Sequence, residues 1–220
     1  MRNNEFYEKS FEGLYATGFT GLLKGFVHKI MESPFSNSKF EKILEVGAGS
    51  GIHFNYVGAN FNKYYATDIV INGDLSSKAI SEKPIILAQD AQKLDFESTS
   101  FDRVVATCLI AHLDNPIQAL NEWRRVVKDS GNITIYIPCE PGLLLRLFRF
   151  VFLLPKSLLK GVSDFNSSIV LEHRNSYLFI KYAIKKEFTN DKIKLTRYPF
   201  PFLSWNFNIF AVANIKVNKG

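Results

Sequence analysis

Ile43-Leu44-Glu45-Val46 runs straight into Gly47-Ala48-Gly49-Ser50-Gly51, a carboxylate followed by glycine at every second position. The apolar run reads as a buried strand, and the glycines let the backbone turn sharply and approach a ligand. Ser50 is placed to cap the amides of a helix starting at Ile52. Strand, glycine loop and helix start together predict a nucleotide-binding crevice of the doubly wound kind. The spacing narrows the ligand. A dinucleotide fingerprint needs a last glycine where Ile52 stands, and a phosphate loop needs a lysine after Gly51, where Ile52 stands again.

The elements that position this loop recur along the chain. Tyr64-Tyr65-Ala66-Thr67 reads as a second strand ending on Asp68. An acid about 20 residues past such a loop meets a ribose diol in doubly wound folds, and its charged hydrogen bonds are strong ones. Pro84 to Ala88 reads as a third strand, followed by Gln89-Asp90-Ala91. Phe101 to Thr107 reads as a fourth, so Cys108 to His112 should line a pocket beyond its carboxyl end. His112 is the candidate base there; the competing reading is a packed structural histidine. Asp114-Asn115-Pro116 starts a helix that runs through Val127 to a stop at Ser130-Gly131, before a fifth strand over Asn132–Ile137.

From Glu45-x-Gly-x-Gly-x-Gly through Asp68, Asp90 and Phe101–Gly142, the chain resembles the class I S-adenosylmethionine-dependent methyltransferases, in their small-molecule branch. The resemblance is continuous from residue 43 to 142. It implies S-adenosylmethionine as cofactor, with Gly47, Ala48, Gly49 and Gly51 admitting its methionine end. Glu45 would suit the ammonium and sulfonium charges, and Asp90 with the Ala91 amide would meet the adenine. Cys108 would line the same crevice. Similar enzymes carry a histidine with a basic neighbour before the last helix, here His173 and Arg174. General likeness in the stretches 138–142, 172–175 and 199–208 further points to enzymes of bacterial surface-polysaccharide biosynthesis. The acceptor implied is a small molecule, sugar or lipid-linked glycan methylated on oxygen or nitrogen. A quinone or lipid-like acceptor, a nucleotide-binding dehydrogenase and a non-catalytic module of the same fold are the alternatives.

The expected architecture is α/β, a doubly wound, seven-stranded, mostly parallel sheet with an antiparallel C-terminal edge strand. A helical N-terminal lid (1–36), interrupted at its glycines, precedes the cofactor-binding core (37–142). An inserted helical cap (143–170) follows strand 5, and 171–220 supply a last helix and two strands of the same domain. Arg146 and Arg149, three apart, are predicted to share a helix face in the cap and to face an anionic acceptor. The greasy stretch from Leu143 to Leu154 is too short to span a bilayer. It reads as a pocket cap, with peripheral membrane contact as the alternative.

Composition sets the remaining bounds. The 220 residues carry 27 Lys and Arg against 21 Asp and Glu, a net charge of +6 that favours anionic partners. No nucleic-acid motif accompanies that charge. The two cysteines, Cys108 and Cys139, lie in apolar runs, which argues for buried thiols rather than a disulfide framework. No His/Cys cluster has metal-ligand spacing. The first residues lack the apolar core of a signal peptide, so the expected compartment is the cytoplasm.

Overall fold

A computed structural model describes residues 18–70, 83–159 and 173–220. Its centre is a seven-stranded sheet. The strands are β1 (Lys39–Val46), β2 (Asn60–Asp68), β3 (Ile85–Ala88), β4 (Phe101–Ala106), β5 (Val127–Pro138), β6 (Lys192–Tyr198) and β7 (Phe210–Lys216). They lie in the order β3-β2-β1-β4-β5-β7-β6. The first five pair in parallel, and β7 runs antiparallel to both β5 and β6. The order reverses between β1 and β4, and at such a switch the loops beyond the strand ends part to leave a crevice.

Burial explains the central strands. Ile43, Leu44, Val46, Val104, Val105 and Ala106 are fully buried, as expected of parallel strands covered on both faces. On one face α2 (Pro116–Val126) and α5 (Tyr177–Glu187) pack through Trp123, Leu120, Ile180 and Ile184. On the other, α1 (Gly18–Glu32) brings Val27 and Met31 against Ile43 and Phe54. Asn115 caps α2 by accepting from the Gln118 amide, and Pro116 fills its first turn, as the sequence predicts.

Four local expectations are corrected. α1 is unbroken through Gly21 and Gly25, because Gly25 buys closeness instead of a break: a Cβ there would stand 3.0 Å from the Tyr56 hydroxyl. Residues 1–17 of the expected lid lie outside the described residues. Ser50 caps nothing. Gly51, left-handed at φ +68°, is the cap of a short 3-10 turn, Ile52–Tyr56, in place of a longer helix. α2 ends at Val126, and Ser130-Gly131 sit inside β5, where Ser130 at φ +54° marks a shift of register against β4.

The cap is correctly helical over 143–159, and its remaining residues 160–170 lie outside the described ones. α3 (Leu143–Phe148) passes through a π-helical turn, Arg149–Leu153, into α4 (Leu154–Leu159). Pro155 accounts for the widening, since its ring has no amide to give and crowds the carbonyl four residues back. Arg146 is exposed and Arg149 is 7% exposed, so the two arginines predicted to share a face occupy opposite environments.

Candidate active site

The crevice opens beyond the carboxyl ends of β2, β1, β4 and β5. After β1 the chain turns through Gly47, Gly49 and Gly51, all left-handed at φ +66°, +53° and +68°. The Ala48 amide donates to Thr67 O at 2.9 Å and the Gly49 amide to Asp68 Oδ2 at 2.8 Å, so the end of β2 holds the loop. Asp68 is half-buried. A Cβ on Gly47 would stand 2.7 Å from Leu109 Cδ1, whereas one on Gly49 would meet nothing within 4 Å. Gly47 thus allows packing, and Gly49 borders open space.

Glu45 lies beneath the loop, with no exposed surface. It accepts from Tyr64 Oη at 2.8 Å and Thr107 Oγ1 at 3.3 Å, and burial pushes its carboxyl above the ordinary range. Its position suits it to bracing β1 against β2 and β4.

Asp90 and Ala91 form a turn locked from behind. Asp90 accepts from the Gln92 amide at 2.9 Å, and Trp123 Nε1 donates to Ala91 O at 3.0 Å. Gln92 in turn accepts from the Asn115 amide at 2.7 Å, so the turn is tied to the start of α2. The Gln89 amide donates to Asp68 O at 2.9 Å, which puts this turn beside the acid of β2.

Beyond β4, Cys108 turns the chain at φ +51° and is exposed, not buried as its apolar surroundings predict. A left-handed non-glycine costs about 1 kcal/mol or more, and such strain collects at functional turns. Cys139, after β5, is buried as expected. The chain then makes a 3-10 turn at Ile110–His112. His112 is 7% exposed, and its ring meets that of His173 edge-on at 4.7 Å between centroids.

His173 is placed by its neighbours. Asn175 Nδ2 donates to Leu113 O at 2.7 Å, the Asn175 amide to Ala111 O at 3.1 Å, and the Tyr177 amide to Glu140 O at 2.9 Å. Arg174 pairs with Asp114 on the outside. His173 Nδ1 then stands 3.0 Å from Glu140 Oε2 and 3.0 Å from an Arg149 Nη2. Arg149 Nη1 closes the cluster on Glu140 Oε2 at 2.5 Å. Burial raises the Glu140 carboxyl, but the His173 hydrogen bond and the Arg149 charge outweigh it and hold the group below its usual range. Arg149 Nε is buried and has no partner among the described residues.

Sequence reading singled out Arg149 and His173 separately and missed Glu140. The available signal was its place, a carboxylate at the carboxyl end of a central strand. Arg146 stays outside the cluster. An open groove of about 640 Å³ between Gln92 and Arg125 lies along the outer side of α2 and includes none of these groups. Among the described residues no group of three His, Cys, Asp or Glu could hold a metal ion.

The residues fit S-adenosylmethionine. The left-handed glycine loop leaves open space beside Gly49, and the Asp68 carboxylate that accepts from the Gly49 amide stands next to it.

Comparison with known proteins agrees with this geometry. Residues 44–135 match the family described as a methyltransferase domain. The ubiquinone/menaquinone biosynthesis C-methyltransferase UbiE of Bartonella henselae is 36% identical over 99 residues, 41% of this chain and 38% of that protein. The chain spans less than two thirds of the length of this and the other curated relatives it matches. A SAM-dependent methyltransferase from Archaeoglobus fulgidus superposes with TM-score 0.62 at 16% identity, over 96% of this chain and 100% of that one. The 1,6-didemethyltoxoflavin-N1-methyltransferase of Burkholderia thailandensis, solved with its acceptor and S-adenosylhomocysteine, gives 0.57 at 12% identity, over 100% and 92%. At such identities the structural likeness is one of fold. Residues 44–135 thus match a methyltransferase domain, and the glycine loop, the acid of β2 and the reversal of strand order all fall within that match.

Proposed function

We propose that the protein methylates an oxygen or nitrogen of a small anionic acceptor of the sugar or lipid-linked glycan class. The loop 47–51, Asp68 and the Asp90-Ala91 turn would hold the cofactor. Bound S-adenosylmethionine supplies an electrophilic methyl carbon on a sulfonium. The chain's part is to align the acceptor atom, keep water out and take up a proton where the acceptor must lose one.

The Glu140–His173–Arg149 cluster carries this reading. With its proton on Nδ1, His173 donates to Glu140, and the Arg149 guanidinium then pairs with the Glu140 carboxylate rather than with the ring nitrogen. That leaves Nε2 with a lone pair able to accept the proton of an acceptor hydroxyl, while Glu140 steadies the imidazolium that forms. His112, packed edge-on against the ring, limits its rotation. The unmet Nε donor of buried Arg149 calls for an acceptor oxygen, and a phosphate or carboxylate on the substrate would supply it.

A quinone or other lipid-like acceptor is the second reading. The exposed Leu143, Leu147 and Phe150 of the segment that carries Arg149 favour it.

Methyl-labelled S-adenosylmethionine incubated with pooled nucleotide sugars, and separately with lipid extracts, tests both. Label transferred to the sugar pool by wild type, and lost in His173→Asn, is the expected result. Label in the lipid pool alone would replace the first reading by the second. Absence of cofactor binding by calorimetry would overturn both.

A further inference from the structure

The 143–159 segment turns Arg149 inward, yet its outer side is apolar. Leu143, Leu147, Phe150, Val151 and Leu158 recur at spacings of three, four and seven and are all exposed, Phe150 at 67%. Its inner stripe, Leu145, Phe148 and Leu153, packs on Leu23 of α1. Lys156 Nζ also donates to Thr20 Oγ1 at 2.8 Å, so α1 lies alongside. α1 exposes Leu22 and Phe26, one turn apart.

A third element joins them. A Cβ on Gly142, at the start of α3, would stand 3.1 Å from Trp205 O, so the loop 199–207 abuts the segment. Asn208, fully buried, shapes that loop by accepting from the Phe200 amide at 2.7 Å and donating to Phe200 O and Ser204 O at 2.9 Å. The rigid loop presents Phe202 at 80% exposure, with Phe200 and Phe207 also exposed.

Charge identifies the partner. Residues 143–159 and 199–207 contain no Asp or Glu, and the sole acid of α1, Glu32, is buried. Lys24, Lys29 and Arg146 stand at the surface of the same elements. We infer that α1, the 143–159 segment and the 199–207 loop form a docking surface for an anionic lipid bilayer, entered by Phe150 and Phe202 at interfacial depth. An apolar face whose own elements carry only cations at their surface gains from acyl chains and acidic headgroups together, and basic side chains near such a surface add roughly equal increments. A protein partner or a second copy would more usually match apolar contact with a mixed-charge rim. No helix among the described residues is long and apolar enough to cross a membrane, so the contact is peripheral.

The test is co-sedimentation with vesicles of phosphatidylglycerol and phosphatidylcholine in equal parts, beside vesicles of phosphatidylcholine alone, at low salt. The proteins are wild type, Phe150→Ser/Phe202→Ser and Lys29→Glu/Arg146→Glu, with light scattering on each for oligomeric state. Thermal melts and S-adenosylhomocysteine binding confirm that the variants are folded, and they read the cofactor site separately. Wild type should be monomeric and bind the anionic vesicles, and each double variant should bind about tenfold more weakly. Wild type left in the supernatant would overturn the inference, as would equal binding to phosphatidylcholine alone or variants that bind as well as wild type. A wild-type dimer that Phe150→Ser/Phe202→Ser converts to monomer, without vesicle binding, would assign the surface to self-association and overturn it too.

Discussion

The Gly49 amide donates to Asp68 Oδ2 at 2.8 Å, so one oxygen of the acid holds the loop while the carboxylate lies beside the open space at Gly49. If Asp68 also receives the ribose hydroxyls, Asp68→Ala removes charged hydrogen bonds worth about 1.5–3 kcal/mol. S-adenosylmethionine should then bind roughly 10- to 150-fold more weakly. Calorimetry giving an unchanged dissociation constant would take Asp68 out of the site.

Gly47 and Gly49 differ in what surrounds them, which separates fold from ligand. Both need a left-handed backbone, so Gly→Ala at either should cost about 1–2 kcal/mol of stability. At Gly49 the new methyl meets no protein atom within 4 Å but enters the open space proposed for the cofactor, so Gly49→Ala should also lower cofactor affinity tenfold or more, about 1.4 kcal/mol. Gly47→Ala presses on Leu109, and Leu109→Ala in the same chain should recover part of its lost stability. Urea melts and calorimetry read the two effects. Gly49→Ala with wild-type affinity would mean that no ligand approaches there.

For the base, His173→Asn should lower turnover by about a hundredfold or more, with cofactor affinity nearly unchanged. Glu140→Gln should slow turnover less, and Glu140→Asp should restore part of the loss, since a charge at that place is what counts. His112→Asn keeps a polar edge against the His173 ring and should be the mildest of the set. Turnover unaffected in His173→Asn would remove the base from this cluster.

A second buried cluster sets the pH response of stability. His28 Nδ1 meets His53 Nδ1 at 2.9 Å, and His53 Nε2 lies 2.9 Å from Glu32 Oε1. Glu32 pairs with Arg103 at 2.7 and 2.8 Å. Burial, then the neighbouring His53, lowers His28 to about 3 from 6.5. The unfolded chain therefore binds the extra proton between those values. The stability from a neutral His28 is complete above about pH 6.5 and is lost as pH falls toward 3, at up to about 1.4 kcal/mol per pH unit. His28→Gln should flatten that slope in denaturant melts taken from pH 7 to 4. A slope as steep as wild type would place the proton elsewhere. Glu32 is also raised by burial but held down to about 2 by His53 and Arg103, so its contribution is lost below about pH 4.5.

What could be read from the chain alone follows the range of the rules. Glycine spacing, apolar strand runs and the acid of β2 are local, so the loop 47–51, Asp68 and the seven strands were legible in the sequence. Glu140 and Arg149 lie 33 and 24 residues before His173 along the chain. No periodicity links them, and only the fold of the 143–159 segment, which turns Arg149 back onto Glu140 and His173, brings them together. Arg103 poses a related conflict. Its strand pattern says buried and its charge says exposed, and only Glu32 from α1 with the Phe35 ring 4.0 Å away resolves the conflict. Ser130-Gly131 looked like a helix stop because turn chemistry inside a strand carries the same residues.

The antiparallel β7 has a consequence for how such a chain can diversify. Because it runs back between β5 and β6, the connection 199–209 emerges on the same rim as the glycine loop. Among the described residues, the loops after β1, β2 and β3 reach that rim on one side of the switch, and the loop after β4 with the later block that follows β5 on the other. Insertions or exchanges in the later block leave the register of β1, β2 and β4 untouched. New acceptor walls can be tried on a cofactor half that stays fixed.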